Sequence, residues 1–88
     1  MTEKTVKVIN SLGIHARPSS LIVQTAIKFK SSIQLIKDGA SADAKSIMSV
    51  MMLAAAQDSS VTIRAEGDDE AEAVEAIIKL FELKFNEE

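Results

Sequence analysis

Between "SIQLIK" and "ASADA" the chain carries Asp38-Gly39, and this pair constrains the fold more than any other feature of the sequence. The favoured two-residue hairpin loop needs positive φ at its central positions, which Asp-Gly supplies readily. Ile33 and Leu35 fall on one face of the strand entering the turn, and Ala40 to Ala44 return beside it as a weaker strand. Some antiparallel pairing is thereby forced at the middle of the chain.

The flanking segments supply the rest. "TVKVI" alternates Val6 and Val8 with polar neighbours, the period of a half-buried strand. After "NSLG", residues Ile22, Val23, Ala26, Ile27 and Phe29 recur at helical spacing, and predict a helix reaching about Lys30. Ser46 stands before "IMSVMMLAAA", a short apolar helix expected to end near Gln57. "SVTIRAE" gives a last strand with Val61, Ile63 and Ala65 inward, closed by Gly67. The acidic run Asp68, Asp69, Glu70 and Glu72 then opens a final helix, where negative charge suits the positive end of the dipole. Val74, Ile77, Ile78, Phe81 and Phe85 form its expected buried stripe.

The order is β-α-β-β-α-β-α, an α+β pattern in which three amphipathic helices must share one apolar sheet face. Element order alone leaves a ferredoxin-like split βαβ arrangement and other open-faced α/β sandwiches equally open.

Eighty-eight residues with no linker, repeat or low-complexity stretch are expected to form one domain, 1–88. The absence of cysteine excludes disulfides and thiol chemistry. A net charge of −3, with three phenylalanines and no tyrosine or tryptophan, is the wrong surface for nucleic acid, which calls for a basic face and stacking aromatics. One histidine does not make a conventional metal site, so no metal or cofactor is expected. No apolar run approaches the roughly eighteen residues of a membrane span, and "MTEKTVKVIN" lacks a signal-peptide core. A cytoplasmic protein without membrane insertion is therefore expected.

That single histidine lies in "LGIHARPSS", residues 12 to 20. Gly13 permits a tight turn off the first strand. Pro18 fits the first turn of a helix, where a missing N–H costs nothing. A helix beginning at Ala16 makes His15 its N-cap and turns the N–H groups of Ala16 and Arg17 outward beside the imidazole. Such an end is an anion site, and Arg17 adds a forked cation suited to phosphate oxygens. The helix end would stabilise an attached phosphoryl group by about 0.3–2 kcal/mol, a hold weak enough for a relay. Local spacing alone is equally met by an ordinary, partly exposed histidine near a helix start.

"GIHARPSSLIVQTA" and "KSIMSVMML" together resemble the histidine-containing phosphocarrier (HPr) family of the phosphoenolpyruvate-dependent sugar phosphotransferase system. The likeness spans essentially the whole chain. It implies an open-faced β-sandwich, a four-stranded antiparallel sheet with three helices on one face. It also implies that His15 is phosphorylated on Nδ1 by enzyme I, with Arg17 assisting at the phosphoryl group, and passes the group to enzyme IIA proteins. Such a protein is a carrier consumed and regenerated in a relay, not a turnover enzyme, and a monomer is its simplest state.

By spacing Ser46 is an N-cap. The resemblance implies a second role, as the serine modified by an HPr kinase/phosphorylase, which brings in a catabolite-control transcription regulator as partner. Phosphate there would add about −1.5 to −2 charges at a helix end that tolerates them. Ile47, Met48 and Met51 lie on adjacent turns and are expected to form a docking patch, with Val50, Leu53 and Ala54 filling the inward face. The chain departs from the family at Leu12, often a small polar residue, and at Ser49 and Ala54, often glycine; these bear on the partner set. Three other readings stay open at this point: a mainly regulatory protein acting through Ser46, a nitrogen-branch paralogue, and an anion-binding domain with no covalent chemistry.

Overall fold

The Asp38-Gly39 turn forms as expected. φ is 51° at Asp38 and 83° at Gly39, and Lys37 pairs with Ala40 directly across the loop. The computed structural model describes residues 1–86; residues 87–88, the last two of the expected 1–88 domain, lie outside the described residues. In chain order the elements are β1 (Thr2–Lys7), α1 (Ala16–Ala26), β2 (Ser32–Lys37), β3 (Ala40–Asp43), α2 (Ile47–Met52), β4 (Ser60–Glu66) and α3 (Glu70–Glu82), followed by a short 3₁₀ turn at Lys84–Asn86.

The strands form one sheet in the order β1-β4-β2-β3, antiparallel at every step. β4 lies between β1 and β2, so those two run parallel without touching, and α1 is the crossover between them. β3 and β4 are likewise parallel across β2, with α2 as their crossover. Parallel strands need such long connections, which is why two of the helices fall between strands. This order decides the topology that element order left open.

One sheet face supplies Ile33, Leu35, Ala42, Val61, Ile63 and Ala65 to the core; the helices answer with Ile22, Ala26, Val50, Val74, Ile77 and Phe81. Each large aliphatic side chain buried this way contributes about 1.5–3 kcal/mol. The opposite face is polar: Thr5 and Thr62 hydroxyls meet at 2.9 Å and Arg64 Nε donates to Glu3 Oε1 at 3.0 Å. An antiparallel sheet tolerates that wet face.

Element ends differ from the sequence reading, each for a local reason. The β1 ladder stops at Lys7; Val8 is buried just beyond it, its N–H bonded to the Ser59 carbonyl at 2.9 Å. α1 stops at Ala26 instead of about Lys30. The N–H groups of Lys28 and Phe29 reach back three residues to Thr25 and Ala26, tightening the last turn. Asp69 then takes the N–H groups of Lys30 and Ser31 at 2.9 and 3.0 Å, and the Ser31 hydroxyl as well. Ile27, one of the apolar residues at helical spacing, is the C-cap and is 60% exposed.

α2 ends at Met52, well short of Gln57. Ala54 has φ 52° and is exposed, so Ala55 takes the inward place expected for Ala54. The Lys37 ammonium donates to the carbonyls of Leu53 and Ala54 at 3.3 and 3.4 Å, meeting the negative end of the helix. β3 closes at Asp43, one residue early. α3 begins at Glu70 with Asp69 as N-cap. Phe85 is buried as expected, but from outside that helix: three residues with φ between 54° and 61° fold its ring edge-on to Phe81, centroids 4.9 Å apart.

The start of α3 is also where β1 is tied down. Glu70 Oε2 lies 2.8 Å from the Met1 amine and 2.6 Å from the Thr2 hydroxyl, while Oε1 accepts the Gly67 N–H at 3.1 Å. The bond to the amine, then those from Thr2 and Gly67, lower this carboxyl from 4.5 to about 2. The Ser31 hydroxyl and the Lys30 N–H lower Asp69 in the same direction.

Candidate phosphoryl site at the leading end of the first helix

The residues that deliver His15 are held almost entirely by backbone. Asn10 and Gly13 close a turn, the Gly13 N–H donating to the Asn10 carbonyl at 3.1 Å. Gly13 has φ 68°, and a Cβ there would lie 2.5 Å from the Ala55 carbonyl oxygen and 3.0 Å from Ala56 Cα. Neither backbone atom can withdraw easily, so the position requires glycine. Ile14 is buried and its N–H donates to the Ala55 carbonyl at 2.9 Å. The loop after α2 thus grips the loop before α1.

His15 follows as the N-cap of α1, in extended conformation at φ −102° and ψ −160°. Its carbonyl accepts the Ser19 N–H at 3.0 Å, the first bond of the helix. Its side chain is half-buried, neither sealed in the interior nor lying loose on the surface. Ala16 and Arg17 are the first two helical residues, where N–H groups point out of the leading end, and Pro18 occupies the third position, buried. The sequence expectation of helix start, N-cap and proline position is met residue for residue.

Arg17 is exposed, and its Nη1 donates to the Phe85 carbonyl at 2.5 Å. That acceptor was not anticipated. It exists because the left-handed Lys84–Asn86 turn brings the chain's last described residues back to the start of α1. Asn10 was missed for a similar reason: in "NSLG" it reads as loop polarity, although it is buried with its side-chain amide 2.7 Å from the Gly13 carbonyl. Leu12, by contrast, is 73% exposed beside the histidine.

Ser46 caps α2 as spacing predicted. Its hydroxyl accepts the Ser49 N–H at 3.3 Å and its carbonyl the Val50 N–H at 3.1 Å. Ile47, Met48 and Met51 all face solvent, Met48 at 72%, and Val50 and Leu53 point inward. Met52, not anticipated in this patch, is the most exposed of the four at 80%. α2 packs against α1 and β3. Among the described residues no group of three or more histidine, cysteine, aspartate or glutamate side chains could hold a metal. Nor is any helix among them long and apolar enough to cross a membrane.

Comparison with known proteins agrees with this geometry. The family model described as "PTS HPr component phosphorylation site" matches residues 2–82. The phosphocarrier protein HPr of Treponema pallidum (strain Nichols) is 50% identical over 88 residues, the whole of both chains. The solved structure of HPr-C-His from Thermoanaerobacter tengcongensis superposes with a TM-score of 0.96 at 50% identity, covering 100% of this chain and 99% of that one. A structure described as an HPr dimer from the same organism gives 0.79 at 49% identity, covering 99% and 100%. The open-faced sandwich is thus shared with phosphocarrier proteins. The chain belongs to the HPr family of the phosphotransferase system.

Proposed function

We propose that His15 accepts a phosphoryl group from phosphorylated enzyme I and gives it to enzyme IIA proteins during sugar uptake. The observation that carries this is His15 at the N-cap of α1, half-buried, with Ala16 and Arg17 as the first two helical residues. The Nδ1 lone pair attacks phosphorus, the new P–N bond forms as the bond to the donor breaks, and the donor leaves with those electrons. The outward N–H groups of Ala16 and Arg17 and the Arg17 guanidinium then face the phosphoryl oxygens, a setting in which charge-assisted bonds are strongest. The chain's own chemistry ends with that transfer, so it is a carrier and not a turnover catalyst.

Arg17 starts from a bond to a neutral carbonyl, that of Phe85. Exchanging it for a phosphoryl oxygen replaces a charge–dipole contact with a charge–charge contact, and reversing it costs only the difference. We take the carrier to act as a monomer in the cytoplasm, meeting its partners in turn. Ile47, Met48 and Met51 supply the adaptable apolar surface those partners need.

Ser46 is proposed as a regulatory phosphorylation site for an HPr kinase/phosphorylase. Its phosphate would keep the cap role while placing charge beside Ile47 and Met48, hindering enzyme I and offering a new surface to a catabolite-control regulator. The test for the central reading is incubation with phosphoenolpyruvate and enzyme I. Acid-labile label on wild type and none on His15→Ala protein is expected; equal labelling of the two overturns it.

A further inference from the structure

We infer that Asn10 is a positioning residue for His15, its buried side-chain amide fixing the carbonyl that in turn holds the histidine's own backbone. The inference rests on the phosphocarrier reading and deepens it. Asn10 is 1% exposed, and Nδ2 donates to the Gly13 carbonyl at 2.7 Å. The same carbonyl accepts the His15 N–H at 3.2 Å, and the Gly13 N–H returns a bond to the Asn10 carbonyl at 3.1 Å. Gly13 itself, at φ 68°, has no side chain to limit its rotation. Two things stop that peptide from turning: the Asn10 amide from the inside, and the bond from Ile14 N–H to the Ala55 carbonyl at 2.9 Å from the α2 side.

Leu12 makes the role of Asn10 sharper. Its hydrocarbon side chain, largely in solvent, has no donor or acceptor to offer the turn, whereas the Asn10 amide donates to the Gly13 carbonyl at 2.7 Å. Without it the peptide keeps only the Ile14–Ala55 bond against turning, and a tilt of the carbonyl carries the His15 N–H and therefore the direction in which the imidazole leaves the N-cap. Phosphoryl transfer needs an aligned nucleophile, and a displacement of about 1 Å can cost on the order of 100-fold in rate.

The experiment compares wild type, Asn10→Ala and Asn10→Asp, each incubated with phosphoenolpyruvate and limiting enzyme I. Initial rates of acid-labile labelling are followed across pH, alongside NMR titration of the His15 ring. Asn10→Ala is expected to slow acceptance roughly 10-fold and to displace the ring's titration midpoint. Asn10→Asp keeps the shape but, as a carboxylate, loses the donor, and should be equally slow near neutral pH. Wild-type rates and an unmoved midpoint in whichever variant folds overturn the inference. A third arm needs no substitution: in wild-type protein the Asn10 side-chain N–H signals should shift when His15 is phosphorylated, and signals that stay in place overturn the inference even if both variants unfold. Wild type that never acquires label at His15 overturns the phosphocarrier reading instead, so the two failures are distinct.

Discussion

His15 is placed by what precedes it in the chain: a glycine at positive φ, the peptide bonds around that glycine and the buried Asn10 amide. Gly13→Ala is therefore expected to be costly. It combines a positive φ with a Cβ 2.5 Å from the Ala55 oxygen, and strain of this kind costs about 1–3 kcal/mol. Thermal unfolding should record a fall of about 4–8 °C for each kcal/mol lost in a chain of this size. Arg17→Lys should behave oppositely. Arg17 is exposed, so stability should change by no more than about 0.5 kcal/mol. The forked donor pair is lost, however, and the labelling rate from enzyme I should fall by roughly 100-fold, the lower end for removing one donor from a preorganised charge-stabilising site. His15, Arg17 and Pro18 were legible in the sequence because helix starts obey local rules. Asn10 and the Phe85 carbonyl were not, because their roles depend on a buried turn and on a chain end folded back from 68 residues away.

Among the elements, α3 does most to hold distant parts of the chain together, and it does so through its first two acids. Asp69 pins the exit of α1 and Glu70 pins β1. Both carboxyls are lowered on folding, Glu70 from 4.5 to about 2. A lowered carboxyl stabilises the fold above its unfolded value and loses that contribution as pH falls through the folded one. Urea midpoints of wild type should therefore drop between about pH 4.5 and 2, and Glu70→Gln protein should show a lower midpoint near neutrality and a shallower acid decline. Matching pH curves for the two would remove Glu70 from the account. The acidic run was readable as a helix start, but only as dipole compensation; that Asp69 and Glu70 have backbone or amine partners required the fold. α1 and α2 were overlong in the sequence reading for the same reason. Apolar residues continue past both true ends, and what stops the helices is a distant partner, Asp69 in one case and Lys37 in the other.

For the molecule as a whole, the arrangement separates a buried face that stabilises from an exposed apolar end that can meet partners. Met48 shows the separation well. Since it is so largely exposed, Met48→Asp should leave stability within about 0.5 kcal/mol while slowing labelling of His15 by enzyme I. Phosphate or its mimic at Ser46 should act in the same sense, with the fold retained because the α2 start accepts negative charge. A Ser46→Asp protein that melts near wild type yet labels slowly is the expected result; slow labelling accompanied by unfolding would place the effect in stability instead of docking. The family likeness and the alternation of its strands made the sheet and its helical cover legible. Which strands neighbour one another was not legible in the sequence, since no local pattern states that β4 lies between β1 and β2.

The central claim is that a phosphoryl group sits on Nδ1 of His15, held by the leading end of α1. Phosphorus and nitrogen NMR of uniformly ¹⁵N-labelled protein, phosphorylated by enzyme I, tests it most directly. The account predicts a phosphorus signal coupled to Nδ1 of His15, with the backbone N–H signals of Ala16 and Arg17 moving as they meet the phosphoryl oxygens. Phosphate on Nε2 or on another residue, or Ala16 and Arg17 signals that do not move, would contradict it.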